Sequence, residues 1–530
     1  MMICILVAWV MTGCLKDEGN YNYAEVSAPT WLFEPAEQIY IYQGDSVKYK
    51  SAFRFEKDSA ERLANVRYEW TLNGVVLSEE RNLWMSGDSI IKKLNLTEYP
   101  DGFMEGFFNV VEKSTGVKYM CKRLFNIYPR YSRGTWLILS ENGTDSRLSC
   151  QLKKLGGESN QASYETIQDV YKQLNGNDIP GHPRRMIWHE ARNISPSVGA
   201  MTIVTDKVAY ELNCETLQKT GELQDQFQDG TPADFKVSDV YYSGIMSFIA
   251  TEDGRLFRRM MADSWLGGKY LTEPYVVDGK GAEVRRFGHG AIPWNGMGFP
   301  CYDEKNGRVM MINFDRPKGK IYPVTPDGGE HTLKVWAMDK DVDILRLCTM
   351  KDLDGIDYYS NDLCLMIYNQ NGKTYMHNFI LNTNPPYNYA YCMSDTQEPK
   401  LFPGGNLDHE TIFLTTIDES AKWYGGVPLY RYLLYTRGNQ LRYLDKDNDM
   451  DYPIITFEAK VTAARYAAYS ESYGAQPYNE IAVGLENGDF MIVNINDISA
   501  AYIIKASKVN VSGAVREIAQ ISIPNIPDYY

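Results

Sequence analysis

The sequence predicts an all-β chain, a β-sandwich followed by a β-propeller, and three observations carry that prediction. Short runs of alternating apolar residues recur along most of its length, and helical periodicity is scarce. One hairpin pattern returns seven times from Gly134 onward. The 39 Tyr and ten Trp agree with this, because aromatic side chains favour the half-buried pleated surface of a sheet. At 44% hydrophobic residues over 530 positions, the composition supports a packed core rather than disorder.

The chain opens on an apolar run, Met1–Met11, too short to cross a bilayer, which takes about 20 apolar residues. Its length suits the hydrophobic region of a secretory signal, and Met11-Thr12-Gly13-Cys14 ends it as a lipobox would, with a small residue just before the cysteine. The expectation is a signal peptide over residues 1–13 and a mature chain that begins at a lipid-modified Cys14. More than one acyl chain is needed there for stable anchoring. No Lys or Arg precedes the run, which points to a start upstream of Met1. Residues 14–26, with Lys16-Asp17-Glu18 and the polar Gly19-Asn20-Tyr21-Asn22-Tyr23, read as a tether.

Residues 27–130 are expected to form the sandwich. Gln38–Tyr42 alternates, Gly44-Asp45 turns the chain, and Ser46–Phe55 resumes the alternation. Tyr68–Leu72, Asn73-Gly74 and Val75–Leu77 form a hairpin signal, since Asn-Gly supplies the positive backbone angles of a tight primed turn. A second hairpin runs from Gly106–Val111 through Ser114-Thr115-Gly116 into Val117–Phe125. Trp70 is assigned to the core.

Residues 131–530 are expected to form the propeller. The repeated hairpins are Trp136–Leu139 with Asn142-Gly143, Thr202–Val204 with Asp206-Lys207, Phe248–Ala250 with Asp253-Gly254 and Met310–Ile312 with Lys318-Gly319. They continue at Leu365–Tyr368 with Asn371-Gly372, Leu433–Tyr435 with Arg437-Gly438 and Ile481–Val483 with Asn487-Gly488. Their spacing of 46 to 68 residues suits four-stranded blades with variable loops, giving seven blades, with six or eight as the alternatives. A pair of sandwiches is the structural rival. Glu165–Leu174 is the single stretch read as a helix.

Taken together, the lipobox, the tether, the sandwich and the propeller resemble the PKD-like surface lipoproteins of Bacteroidetes. The Tyr68-x-Trp70…Asn73-Gly74 and Phe107-x-Asn109-Val110 elements are similar to a PKD or immunoglobulin-like domain, and Lys16, Asp17 and Glu18 resemble the family's surface-export signal. The resemblance implies a protein lipid-anchored in the outer membrane and facing the cell exterior. It implies a non-enzymatic, ligand-binding or accessory role in protein–protein interaction with a SusC/SusD-type TonB-dependent nutrient transporter and its lid lipoprotein. The nutrient is a glycan or a peptide.

Other classes are disfavoured. The formal net charge is −14 and no basic stripe occurs, which argues against nucleic acid. No zinc-spaced His or Cys set, nucleophile elbow, P-loop or dinucleotide fingerprint is present, so no cofactor is expected and no enzyme is inferred. Removing Cys4 and Cys14 leaves seven of nine cysteines at scattered spacings, with at most an unassignable disulfide. The alternatives to a binding subunit are a propeller glycoside hydrolase or lyase with its acids on different blades, and a purely structural scaffold on the transporter.

Three site expectations remain. Trp188, Trp265 and Trp294 are candidates for stacking on a sugar or peptide ligand. Asp445, Asp447, Asp449 and Asp451 alternate as calcium ligands do, but Met450 and Thr456 stand where an EF-hand needs Gly and Glu, so a structural Ca²⁺ is set against a metal-free acidic turn. The glycine-dense Phe287–Phe299 is either a ligand-facing loop or a buried connection near the propeller axis.

Overall fold

A computed structural model of the chain describes residues 28–521, apart from 33–37, 57–59, 98, 101, 133, 155–162, 190–198, 244–245, 261–268, 289–298, 314–319, 327–329, 351–360, 384–390, 397, 415–431 and 468–478. The lipobox and the export signal, Cys14, Lys16, Asp17 and Glu18, lie outside the described residues. The chain forms two compact units, Met1–Tyr128 and Pro129–Tyr530. Among the described residues, no helix is long and apolar enough to cross a membrane.

In the first unit, a five-stranded sheet runs in the order Gln38–Tyr42, Lys118–Tyr128, Met104–Glu112, Val66–Leu72 and Val75–Ser78. Two short pairs accompany it: Ser46–Tyr49 with Leu83–Ser86, and Thr30–Trp31 with Phe53–Arg54. Thus the chain changes sheets at the Gly44 turn, where φ is +83°. Asn73 and Gly74 both take positive φ, +48° and +80°, which gives the predicted hairpin its primed turn. Trp70 is fully buried, its ring centroid 4.6 Å from that of Phe108 and its Nε1 donating to the Arg81 carbonyl at 3.3 Å. Burying an indole while pairing its N–H is what makes Trp a good core residue here.

The sequence reading missed the helix Gly87–Leu94, which is capped by Ser86 accepting from the Ser89 N–H. Eight residues offer barely two turns of periodicity, too few to separate from a strand–loop pattern.

In the second unit, the described residues form seven antiparallel sheets. The first contains Ser163–Ile167, Asp145–Lys154, Thr135–Asn142 and, from the far end of the sequence, Val515–Ile521. The others follow in chain order and begin at Pro183–His189, Val237–Ser243, Phe299–Asp303, Asp343–Met350, Phe413–Leu414 and Val461–Tyr466. Each of the seven predicted hairpins falls in a different sheet, although the Lys318-Gly319 turn lies outside the described residues.

Glu165–Leu174 is not one helix. Ser163–Ile167 pairs with Asp145–Lys154, and only Val170–Asn175 is helical, after Asp169 at φ +50°. Ile167, Val170, Tyr171 and Leu174 have helical spacing, but an open sheet edge captures the first half, where strand hydrogen bonds are available.

Each sheet packs on the next through an apolar cluster. Leu152 and Leu148 of the first share a cluster with Met201 and Leu212 of the second, and Val204 shares one with Val240 and Phe257 of the third. Phe248 shares a cluster with Met310, Met311 with Met366, Leu365 with Leu433 and Leu434 with Val483. The last cluster joins Phe490 and Ala482 to Trp136 and Val515, so the seventh sheet packs on the first. The sheets therefore close on themselves in a propeller-like, all-β arrangement. Closure protects sheet edges, and each fully buried Leu, Met or Phe in these seams contributes about 1.5–3 kcal/mol.

Candidate functional site

The innermost strands share one local device. Val515–Ile521 runs beside both Pro183–His189 and Val461–Tyr466, and Pro183–His189 runs beside Val237–Ser243. On each of these strands a β-bulge follows a first apolar residue. Pro183 and Arg185 face Thr205 and Val204, and Val237 and Asp239 face Thr251 and Ala250. Likewise Ile344 and Arg346 face Tyr368 and Ile367, and Val515 and Glu517 face Ser140 and Leu139. The seventh sheet repeats it with Val461 and Ala463, and carries Arg465 two residues on. A bulge steps over one residue and re-aims the next. Here it sets Arg185, Asp239 and Glu517 at equivalent positions on neighbouring inner strands, and Arg346 at the same position in the fifth sheet.

These side chains bind the neighbouring strand. Asp239 accepts the Phe287 N–H at 2.9 Å through Oδ2, and its Oδ1 accepts Arg185 Nε at 3.3 Å. Glu517 accepts the Met186 N–H, and Arg465 donates through Nη1 to the Ile518 carbonyl at 3.4 Å. The residues stepped over do the same work: Ser238 Oγ donates to the Arg285 carbonyl at 2.8 Å, and Thr462 Oγ1 to that of Val515 at 2.5 Å. An innermost strand has no further strand inside it, so these contacts satisfy main-chain groups that would otherwise lack partners.

The electrostatics follow from the crowding. Asp239, 1% exposed, raises the pKa of the Arg185 guanidinium. Burial pushes the Glu517 carboxyl above its ordinary range, while Arg185 and Arg465 oppose that shift. Arg465 retains solvent contact, yet it sits so deep among protein atoms that desolvation lowers its pKa, and the nearby charges of Arg185 and Arg346 lower it further. Asp239 thus pairs with Arg185, and Glu517 feels both Arg185 and Arg465.

The predicted site residues do not gather here. Trp188 is half-buried and packs against the apolar cluster between the first two sheets. Trp265 and Trp294 lie outside the described residues. Asp445 is buried and caps a turn, accepting the Asp447 N–H at 3.1 Å and Asn448 Nδ2 at 2.8 Å. Asp449 is exposed 3.4 Å from Lys400 Nζ. Asp451 receives Arg442 Nη2 and the Tyr435 hydroxyl, each at 2.7 Å. Among the described residues, no group of three or more His, Cys, Asp or Glu is placed to hold a metal.

Of the glycine-dense segment, Phe287 and Gly288 are described, and both are buried. A Cβ on Gly288 would lie 2.6 Å from the Leu347 carbonyl oxygen and 2.7 Å from that of Pro300, so only glycine fits between these strands.

The charged inner positions escaped the sequence reading because it searched for linear motifs. Their only trace is an apolar residue followed two positions later by a charge, as in Pro183-Arg184-Arg185, Val237-Ser238-Asp239 and Val515-Arg516-Glu517. That pattern is too short to stand out.

Residues 14–183 match the model of the PKD-like family. The match covers the described part of the first unit and the first sheet of the second apart from its C-terminal strand. No curated protein matches the chain in sequence. Among solved structures, a quinonprotein alcohol dehydrogenase-like protein from Bacteroides thetaiotaomicron VPI-5482 is similar at 12% identity, over 93% of this chain and 99% of that one, with a TM-score of 0.38. The computationally designed Ika8 protein is similar at 10% identity over 74% and 95%, TM-score 0.33. Saccharomyces cerevisiae Sqt1 is similar at 9% identity over 59% and 83%, TM-score 0.32.

Proposed function

We propose that this protein is a lipid-anchored surface lipoprotein of the outer membrane, tethered through Cys14, in which a PKD-like sandwich carries a seven-bladed propeller. Each of the seven sheets in the second unit is a blade, and Val515–Ile521 closes the ring by completing the blade that Thr135–Asn142 begins. The protein acts as a non-enzymatic binding or accessory subunit of a SusC/SusD-type transporter that takes up glycan or peptide.

The observation that supports a binding role over hydrolysis is the occupation of the inner carboxylates. Asp239 is held by an arginine and two main-chain N–H groups, and Glu517 by the Met186 N–H and two flanking arginines. Glycoside hydrolysis needs a pair of carboxyls ~5–9.5 Å apart and free to exchange protons with substrate. Groups that hold strands together are poorly suited to that.

The test is affinity capture of the tagged protein from detergent-solubilised outer membranes of its native host, followed by mass spectrometry. A TonB-dependent barrel and its lid lipoprotein are expected in the eluate. Recovery without either counts against the accessory role. A Cys14→Ala variant is expected to leave the membrane fraction, and its retention there would remove the lipid anchor.

A further inference from the structure

In the first unit, the two short strand pairs lie along one run of chain, Ser46–Phe55, and their outward face is basic. Side chains alternate along that run: Val47, Ser51, Phe53 and Phe55 are buried, while Lys48, Lys50 and Arg54 are exposed. Tyr49 and Phe53 mark the inner side, their ring centroids lying 5.6 Å from Trp70 and 6.0 Å from Phe108. The three cations therefore point outward, since successive side chains of a strand take opposite faces. Pairing across strands supplies their neighbours. Trp84 stands opposite Lys48, Thr30 stands opposite Arg54, and the Leu32 N–H donates to the Ala52 carbonyl at 3.0 Å.

Two large apolar side chains flank this basic row. Trp84 is 65% exposed and Leu32 54%, so the face sets an indole and a leucine in solvent beside its cations. Residues 28–32, 46–55 and 82–86, which build the face, contain no Asp or Glu, although the chain carries a formal net charge of −14. Among the described residues, no hydrogen bond or ion pair engages the Lys48 ammonium or the Arg54 guanidinium. An indole with Lys and Arg beside it suits the headgroup layer of a membrane. The ring takes the boundary between apolar and wet, and the long basic side chains reach the phosphates.

We propose that this face, carried by Leu32, Lys48, Lys50, Arg54 and Trp84, lies on a bilayer with anionic, phosphate-bearing headgroups. The length of the tether supports that partner. Sixteen residues lead from Cys14 to Thr30, on the strand that borders the face, and even fully extended they span no more than about 58 Å. A lipid on Cys14 thus keeps the face within reach of the membrane that holds it. The proposal rests on the reading of Cys14 as the anchor and adds a second, salt-sensitive contact, so that the sandwich lies against the membrane.

Sedimentation with vesicles tests this, using the mature chain from residue 14 with Cys14→Ala, so that the protein carries no lipid. One set of vesicles is phosphatidylcholine alone, and the other mixes phosphatidylcholine with phosphatidylglycerol. Binding to the anionic vesicles is expected to be about tenfold or more stronger than to the neutral ones and to fade at high salt. Trp84→Ser, and separately Lys48→Glu with Arg54→Glu, each checked for native circular dichroism, are expected to weaken it by about fivefold or more. Lys340→Glu with Lys373→Glu alters net charge equally, at exposed lysines of the second unit, and should leave the binding unchanged.

No preference for anionic vesicles, unchanged binding in both variants of the face, or an equal loss in the second-unit control would overturn the proposal. The outcome is separable from that of the anchor test, because the protein in the vesicle assay bears no lipid. A chain that binds the vesicles keeps the face whether or not Cys14 is acylated, and a chain that does not bind loses the face and leaves the anchor standing.

Discussion

Asp239 Oδ2 accepts the backbone N–H of Phe287 at 2.9 Å, across the seam between two successive sheets. The same carboxylate accepts Arg185 from the sheet on its other side, so one buried side chain ties three sheets together. Glu517 repeats the arrangement toward Met186, and Arg465 repeats it with the opposite polarity toward Ile518. The inner strands are thus laced by side chains where no further strand can pair with them.

Asp239→Ala is expected to lower stability by about 2–3 kcal/mol, since it orphans the Phe287 N–H and removes a charged hydrogen bond from Arg185. Asp239→Asn keeps an acceptor and should recover part of that loss. Urea unfolding followed by tryptophan fluorescence checks both, and equal loss in the two variants would show that charge alone matters.

A second buried polar group joins the second and third sheets. Arg259 is 1% exposed, lies 4.6 Å over the Tyr270 ring, donates to Ser247 Oγ at 3.2 Å and reaches Gln226, which in turn donates to Glu211. Arg259→Met matches the side chain's length but removes the donor to Gln226 Oε1, while Ser247 Oγ keeps its bond with the Tyr270 hydroxyl. We expect a loss of about 1–3 kcal/mol for each orphaned group, read as a lowered urea midpoint. A midpoint at or above that of the parent protein would show that the network sets geometry without adding stability.

Val515–Ile521 joins Thr135–Asn142 and adds Ala519 and Ile521 to one apolar seam and Val515 and Ile518 to another. A chain ending at Ser512 should therefore lose the cooperative transition of the second unit and become protease-sensitive there. Differential scanning calorimetry and limited proteolysis check this. A surviving sharp transition would mean that the ring does not need its last strand.

The raised pKa of Glu517 makes a pH prediction. Burial favours its neutral form in the fold, against the pull of Arg185 and Arg465 and with the push of Asp239. A carboxyl whose folded pKa lies above its unfolded value contributes fully below the unfolded value and loses that contribution as pH rises through the folded one. The parent protein should therefore lose stability relative to Glu517→Gln as pH rises above the ordinary value of 4.5. Parallel pH-stability curves would contradict the shift.

Much of the fold was legible in the chain. Asn73-Gly74, Asn371-Gly372 and Asn487-Gly488 each mark a tight turn between apolar runs, because few other residues tolerate the backbone angles required. Trp70 could be placed in the core because its alternating neighbours define a buried face. Glu165–Leu174 misled, since helical spacing of apolar residues does not exclude capture of a segment by a sheet edge. The aspartates from Asp445 to Asp451 alternate in sequence, and the carboxylates of Asp445, Asp449 and Asp451 each find a different partner, which only the tertiary structure decides.

By itself, the sequence determined local geometry: where strands run, where they turn, and that the chain is all-β. The tertiary structure alone decided that Val515–Ile521 returns to Thr135–Asn142, and that Arg185, Asp239, Arg346, Arg465 and Glu517 share one neighbourhood. The physical reason is separation along the chain. Turn preference acts over a few residues and is written in them, whereas the inner cluster depends on seams between whole sheets, and its members stand 52 to 332 residues apart with no local pattern to link them.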